Sequence, residues 1–249
     1  MSQRARRELM LRSAIRAAFK ASRGTYGSPR LYGEVRKIVP GTGRRITARL
    51  MREEGLVARK TPRPYRKAQE QIVGKIRNKL AREFSQQAPN KAWAGDITYI
   101  ATALGWVYLA VILDLFSRRV VGWAVSREPT TAVALSALRR AIAVRMPDEN
   151  LLVHHDQGVQ YTSYQYQDEL AAHGFAPSMS RRGNCWDNAV VESFFSTLKI
   201  EWIYRHTYRG LEDLEASLFD YIEGFYNPDR QHTTLGNLSP AEYERQMHR

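Results

Sequence analysis

The chain has 249 residues, 43% of them apolar, which is enough for one large domain or for a small domain joined to a medium one. Its formal net charge of +13 is unevenly placed, because residues 1–82 hold 23 Lys and Arg against 5 Asp and Glu, whereas the remainder holds 15 against 20. A single cysteine, Cys185, excludes an internal disulfide framework and a multi-cysteine zinc site, and no apolar run approaches the roughly 18 residues of a membrane span.

The pattern of residues 1–65 predicts a small all-α DNA-binding domain. Since the Arg-rich start lacks the apolar stretch of a signal peptide, the protein is expected to be cytoplasmic. Three helices are predicted, over residues 8–20, 28–39 and 44–54. Their predicted inward faces are apolar, at Leu31, Val35, Ile38 and Val39 and at Ile46, Leu50 and Met51. The last helix carries an outward stripe of Arg45, Arg49 and Arg52 after a glycine turn, so the pair indicates a helix-turn-helix that contacts DNA. An ordinary basic helical hairpin is the alternative.

Residues 61–67 form a basic, proline-containing stretch, after which residues 68–84 resume helical periodicity. This pattern predicts a helical linker over residues 66–90, followed by a catalytic core over 91–205 and a C-terminal helical extension over 206–249.

Strand patterns begin at Ala92. Five strands are predicted, over residues 92–100, 106–113, 119–125, 151–155 and 176–180, with helices over 130–145 and 163–173. The order βββαβαβα indicates an α/β, ribonuclease H-like fold, in which three antiparallel strands lead into a parallel extension.

Three carboxylates carry the predicted chemistry. Asp96 lies within the first strand, Asp156 ends the fourth, and Glu192 begins a helix whose good capping residues are Asp187 and Asn188. If the two strands are neighbours, their acids meet at one edge of the sheet, and the packed helix can direct Glu192 towards them.

Two carboxylates about 4 Å apart repel by about 4 kcal/mol at an effective dielectric near 20, so three such groups need a cation or a proton. Hard oxygen ligands select Mg²⁺ or, as a substitute, Mn²⁺. Such a centre would support phosphodiester hydrolysis and strand transfer without a covalent enzyme intermediate.

Several other polar and aromatic residues invite a functional interpretation. Lys199 lies two helical turns after Glu192 and could hold a DNA phosphate, and the basic glycine loop at Arg181 and Arg182 could contact DNA. The simpler interpretations are a solvated lysine, a packing thiol at Cys185 and a turn residue at Asp114, which is a possible fourth acid. The histidines at positions 154 and 155 do not indicate zinc, and Trp93, Trp106, Trp123 and Trp186 are expected in the core.

Six segments together resemble a known family: Tyr26–Arg59, Asn78–Trp93, Trp93-x-x-Asp96-Ile-Thr-Tyr99, Asp156-Gln-Gly158, Ser178–Phe195, and Tyr226-Asn-Pro-Asp-Arg-x-His232-x-x-Leu-Gly-x-x-Ser-Pro240. With 35 residues between Asp156 and Glu192, the chain resembles the downstream-frame catalytic subunit of bacterial insertion-sequence transposases, whose core is similar to retroviral integrase.

The resemblance implies a DDE transposase in which Asp96, Asp156 and Glu192 are the catalytic acids and bind magnesium. It also implies DNA partners, namely the terminal inverted repeats of the element and a target, and a homo-oligomer on nucleoid DNA. His155 departs from the serine more usual beside the second aspartate. Members typically act as a fusion with an upstream reading frame, so an upstream-frame subunit is a possible partner. A structure-selective nuclease and a non-catalytic DNA-binding regulator remain the alternatives.

Overall fold

The computed structural model describes residues 2–58 and 76–247, except for the side chains of Arg4 and Cys185. It divides the chain into two compact units, the first comprising residues 1–62 and 230–239 and the second comprising residues 63–229 and 240–249. Residues 230–239, placed by sequence within the C-terminal extension, therefore group with the N-terminal helices.

The first unit contains three helices, α1 (Gln3–Ala21), α2 (Ser28–Ile38) and α3 (Arg44–Glu53). Their buried apolar side chains are Leu11, Ala14, Ile15, Leu31, Val35, Val39, Leu50 and Met51. Two residues expected inward are exposed, Ile38 by 60% and Ile46 by 40%. The inward face of α3 instead contains Thr47 with Leu50 and Met51, at the i, i+3, i+4 spacing that defines one face of a helix.

Within the first unit, residues 230–239 contact the N-terminal helical region through a hydrogen bond to a buried tyrosine. The Gln231 amide donates to the Tyr26 hydroxyl at 2.7 Å, and the Gln231 side chain also donates to Glu34. A 3-10 helix, Thr233–Leu235, and an antiparallel bridge between His232 and Leu238 make this segment compact.

The second unit is built on a five-stranded sheet with the spatial order β3-β2-β1-β4-β5. The strands are β1 (Ala92–Thr102), β2 (Gly105–Asp114), β3 (Val120–Ser126), β4 (Leu152–His155) and β5 (Ala176–Met179). The first three pair antiparallel, and β1, β4 and β5 pair parallel. All five predicted strands and the ribonuclease H-like order are confirmed.

The remaining helices are α4 (Thr131–Arg145), α5 (Val159–Thr162), α6 (Tyr164–Ala172), α7 (Ala189–Glu201), α8 (Leu211–Tyr221) and α9 (Pro240–Met247), and a π-helical turn, Ile222–Tyr226, follows α8. They cover both faces of the sheet. A Cβ on Gly122 of β3 would lie 2.3 Å from the Ala137 carbonyl oxygen, so α4 packs directly on that glycine. The next residue, Trp123, points to the opposite face and donates to Glu223 at 3.0 Å.

The helix predicted over residues 68–84 is wrong in its described part, because residues 76–84 are not helical. The Asn78 side chain accepts from the Ala81 amide at 2.8 Å, and Ala81 and Arg82 adopt left-handed φ angles of 48° and 68°. Ser178 also accepts from the Lys79 and Leu80 amides. These bonds replace helical bonds. Residues 59–75, which include the first part of the predicted linker, lie outside the described residues.

Asp114, the possible fourth acid, has a structural role instead. It is fully buried, accepts from the amides of Asn90 and Phe116, and pairs with Arg145 at 3.2 Å. Arg145 also binds Glu244, so this network attaches α9 to the sheet. Within the part of the chain that the structure describes, no helix is long and apolar enough to cross a membrane.

Candidate active site

Asp96 lies within β1, and Asp156 directly follows the neighbouring strand β4, so the two acids have equivalent positions in the strand register. The parallel pairing of β1 with β4 ends at Ala94 opposite His154, and each acid follows its paired residue by two positions. Each carboxylate accepts a hydrogen bond from nearby backbone, Asp96 from the Ile97 amide at 2.8 Å and Asp156 from the Gly158 amide at 2.9 Å. The strand pairing therefore places the two acids side by side, where β4 ends against the middle of β1.

Glu192 lies in the first turn of α7, which packs against β1. The buried face of this helix consists of Val191, Phe194, Phe195 and Leu198. Glu192 is half-buried, and its negative charge acts on the Asp96 carboxyl. The apolar face thus holds the helix against the strand that carries Asp96.

The electrostatics of the site oppose negative charge. Burial raises the pKa of Asp96 well above its usual range, with further increases from the charges of Asp156 and Glu192. The Ile97 amide and Lys199 act in the opposite direction. Burial also raises the pKa of Asp156. The cluster therefore favours a proton or a cation beside its carboxylates.

One carbonyl oxygen connects the three segments that carry these acids. The Gly95 carbonyl accepts from His155 Nδ1 at 3.0 Å and from Asn188 Nδ2 at 3.4 Å. Gly95 precedes Asp96, His155 precedes Asp156, and Asn188 precedes α7. A Cβ at Gly95 would lie 2.7 Å from His155 Cε1, so the imidazole requires glycine there.

Both histidines of β4 are buried and hydrogen bonded. His154 contacts the hydroxyls of Ser178 and Ser180 at 2.8 and 3.1 Å. Because a carbonyl only accepts, His155 Nδ1 carries the proton, and its Nε2 accepts from the Tyr166 hydroxyl at 2.7 Å. Burial lowers the pKa of His155 to about 3 and that of His154 to about 4, which keeps both rings neutral.

Lys199 lies beside the acids. It is half-buried, its charge lowers the pKa of Asp96, and its Nζ is 5.0 Å from the centroid of the Tyr99 ring. Burial lowers the pKa of Lys199, while the negative charge of Asp96 raises it. This ammonium group is thus near the carboxylates and not only solvated.

Asp187 organises the loop that precedes α7. Its fully buried carboxylate accepts from the side chains of Asn78, Arg82 and Arg181 and from the Arg181 amide. These bonds, above all that of the Arg181 side chain, hold the pKa of Asp187 well below its usual range. Arg181 and Arg182, both predicted to contact DNA, are exposed, and Arg181 is in addition engaged by Asp187.

The expected capping bonds of Asp187 and Asn188 are absent from the start of α7, where the Asn188 side chain caps no amide. The two side chains instead bind the basic loop and the Gly95 carbonyl. Sequence patterns missed the contacts with Asn78, Arg82 and Gly95 because these partners lie about 90 to 110 residues away in the chain.

The three arginines predicted on the DNA-binding helix lie in the first unit and are not part of the acid site. All three are exposed. Arg49 pairs with Glu53 at 3.2 Å and Glu8 at 3.6 Å.

The prediction that four tryptophans lie in the core is correct for two of them and wrong for the other two. Trp93 and Trp123 are buried, but Trp106 and Trp186 are 56% and 67% exposed. Trp106 lies beside the β1–β2 turn and contacts Tyr99 edge to face, and Trp186 belongs to the loop before α7. Apolar content alone did not distinguish these positions from core positions.

Within the described residues, no group of three or more Asp, Glu, His or Cys side chains is arranged to hold a metal ion. The donor chemistry nevertheless suits a hard divalent cation, because the three acids offer oxygen ligands and repel one another. Three buried polar atoms beside them have no hydrogen-bond partner among the described residues, namely Gln157 Oε1, Tyr161 OH and Asn188 Oδ1. Unpartnered polar atoms around repelling carboxylates fit a site for a cation and its oxygen ligands.

The sheet order is that of a polynucleotidyl transferase of the integrase type. The two neighbouring acids and the helix that carries Glu192 fit the same class. Comparisons with known proteins agree. Integrase core domain families match residues 86–185 and 173–240, and an HTH-like domain family matches residues 5–65. The simian T-cell lymphotropic virus intasome in complex with PP2A regulatory subunit B56 gamma has the same fold, with a TM-score of 0.54 and 19% identity over 88% of this chain and 70% of that chain.

Proteins with related sequences identify the family more specifically than the fold does. The chain is 42% identical to the transposase InsF of insertion sequence IS3A from Escherichia coli K12, over 93% of this chain and 81% of the relative. It is 37% identical to the transposase of insertion sequence element IS904 from Lactococcus lactis, over 98% and 96%. The chain belongs to the IS3-family insertion-sequence transposases.

Proposed function

We propose that Asp96, Asp156 and Glu192 are the catalytic acids of this DDE transposase and together bind Mg²⁺, for which Mn²⁺ can substitute. The observation that carries the proposal is the convergence of the three acids, because the β1–β4 pairing brings Asp96 and Asp156 together and α7, packed against β1, carries Glu192 in its first turn. Burial, and then the charges of Asp156 and Glu192, raise the pKa of Asp96. A divalent cation relieves this repulsion, whereas protonation would remove the ligands.

The ion, when bound, would activate the attacking oxygen and stabilise the leaving oxygen of a phosphodiester. Asp96 and Asp156 supply fixed ligands because strand pairing and backbone amides orient them. Lys199 attracts a DNA phosphate to the acids, and Asn188 and His155 maintain the spacing of the three segments through Gly95. These residues position both the ligands and the DNA.

DNA recognition is assigned to the helix-turn-helix of the first unit. Arg45 and Arg52 on α3 are the principal candidates, with Arg182 as a further contact on the second unit, because all three side chains are exposed. Their charges suit phosphate neutralisation. Arg49 and Arg181 are also exposed but pair with acids of the protein, so they are weaker candidates. The proposed substrates are the terminal inverted repeats of the element and a target DNA. We further propose that the chain oligomerises on this DNA, with an upstream-frame subunit as an additional partner.

The test is a strand-transfer assay with candidate element ends, Mg²⁺ or Mn²⁺, and the upstream-frame product present or absent. Asp156→Asn should abolish cleavage and joining while DNA binding, measured by fluorescence anisotropy, stays nearly unchanged. Joining by this variant would refute the acid assignment. Hydrolysis without joining by the wild-type protein would instead indicate a nuclease, and a covalent protein–DNA adduct would indicate a different chemistry.

A further inference from the structure

Tyr161 is a buried tyrosine whose hydroxyl has no partner among the residues that the structure describes. Its side chain is 2% exposed, and its ring stacks on His155 with centroids 3.9 Å apart and planes inclined by 7°. The backbone of Tyr161 is also fixed, because its carbonyl accepts from Gln167 at 2.6 Å. Ring and backbone therefore hold the hydroxyl in one place.

The neighbouring Tyr166 differs in one respect that makes it a useful comparison. It is equally buried and contacts the Tyr161 ring edge to face at 5.3 Å, but its hydroxyl donates to His155. A buried hydroxyl without a partner costs free energy, so proteins rarely retain one without a use. The cluster contains two tyrosines, of which only Tyr166 has a hydroxyl satisfied within it.

The Tyr161 side chain borders one of the proposed ligands, Asp156. A Cβ at Gly158 would lie 2.8 Å from Asp156 Oδ1 and 3.5 Å from Tyr161 Cδ2, so the two side chains border the same glycine. Burial raises the pKa of Tyr161, and the charges of Asp96 and Asp156 raise it further. The hydroxyl therefore stays protonated and can donate a hydrogen bond beside both carboxylates.

We propose that Tyr161 is a positioning residue of the active site, whose hydroxyl donates a hydrogen bond to the oxygen atom that lies against Asp96 and Asp156 when cation and DNA are bound. That oxygen belongs either to water or to a DNA phosphate. The inference rests on the proposed function, since it requires the two acids to bind a cation. Tyr161 acts by orienting the ligand oxygen and takes no part in bond breaking.

The experiment compares Tyr161→Phe with Tyr166→Phe, and uses Tyr164→Phe, at an 89% exposed position, as the neutral control. Mn²⁺ affinity of the full chain is measured by the loss of the free-ion paramagnetic resonance signal, and stability by Tm without metal. If the oxygen belongs to water, Tyr161→Phe should weaken Mn²⁺ binding about three- to tenfold without lowering Tm. Tyr166→Phe should lower Tm by about 2–4 °C, because it removes a hydroxyl that is bonded within the protein.

A second arm distinguishes the two sources of the oxygen. If it is water, the loss of Mn²⁺ affinity appears without DNA. If it is a phosphate, Mn²⁺ binding is unchanged and the affinity for a fluorescent DNA duplex falls by the same factor only when Mn²⁺ is present. The inference is overturned if Tyr161→Phe behaves like the wild type in both arms. It is also overturned if a lower Tm of this variant accounts for its whole loss of Mn²⁺ or DNA affinity. Wild-type Mn²⁺ affinity in Asp156→Asn would instead refute the metal site itself.

Discussion

At the scale of single residues, the Gly95 carbonyl connects the chain segments that carry the three acids. It receives hydrogen bonds from His155 and Asn188, and its residue has no room for a side chain. The carbonyl oxygen is thus connected to the β4 end and to the start of α7. We expect small changes at Gly95 to disturb all three acids together.

Replacing Gly95 by alanine tests this expectation. The new Cβ would lie 2.7 Å from the side chains of His155 and Ile112 and 2.8 Å from the Val111 carbonyl oxygen. We expect a loss of about 1–3 kcal/mol in the free energy of unfolding, measured by urea denaturation, because the core is overpacked.

The matched control is Gly33→Ala in α2, where a Cβ meets nothing within 4 Å. This variant should gain about 0.5–1 kcal/mol, because alanine favours the helix. Equal stability of the two variants would show that the Gly95 site is not tightly packed.

At the scale of elements, the loop before α7 depends on a single carboxylate. Asp187 binds three side chains from two chain segments, and the position of Glu192 depends on the start of α7. Similarly, all four arginines of α3 are exposed, and one of them, Arg49, is paired with glutamates. Both elements therefore contain basic residues of two kinds, those paired with acids of the protein and those that are only exposed.

Asp187→Asn should destabilise the second unit by about 1–3 kcal/mol at neutral pH, because Arg82 and Arg181 lose their charged partner. The lowered pKa of Asp187 means that its contribution is fully present above about pH 3.9 and is lost as the pH falls further towards the folded-state value. Urea denaturation at pH 7 and pH 3 should show a difference between variant and wild type that shrinks at low pH. A difference that grows on acidification would contradict the assignment.

The arginines of α3 give a graded prediction. Arg45→Ala and Arg52→Ala should each flatten the logarithmic salt dependence of DNA binding by up to about 0.9 per lost phosphate contact. Arg49→Ala should flatten it less, because Arg49 already pairs with Glu53 and Glu8. Anisotropy titrations across a salt series measure these slopes, and an unchanged slope in all three variants would mean that α3 is not the DNA surface.

At the scale of the whole molecule, local periodicity predicted the strands and helices, and the strand order followed from the alternation of element types. Asp96 and Asp156 could be brought together in advance on the condition that their strands are neighbours, which the parallel pairing of β1 with β4 fulfils. The turn at residues 76–84 could not be predicted, since Ser178, about 100 positions away, displaces its helical bonds. The same limit hid Tyr161, whose unpartnered hydroxyl is evident only once the surrounding structure is known.

The position of residues 230–239 exceeds what local patterns can predict. These residues continue the chain from the α8 region, yet they group with the N-terminal helices through Gln231 and Tyr26. Sequence periodicity describes each element but not which part of the fold a returning segment joins. Each compact unit consequently contains two separate stretches of the chain.

The central claim, that Glu192 completes the catalytic acids, is tested most directly by comparing two glutamates of α7 in one strand-transfer assay. Glu192→Gln should abolish metal-dependent joining of DNA while leaving DNA binding intact. Glu201→Gln, at a buried position that accepts from the Tyr221 hydroxyl, should retain joining with at most a lower Tm. Joining by Glu192→Gln at the wild-type rate would contradict the account.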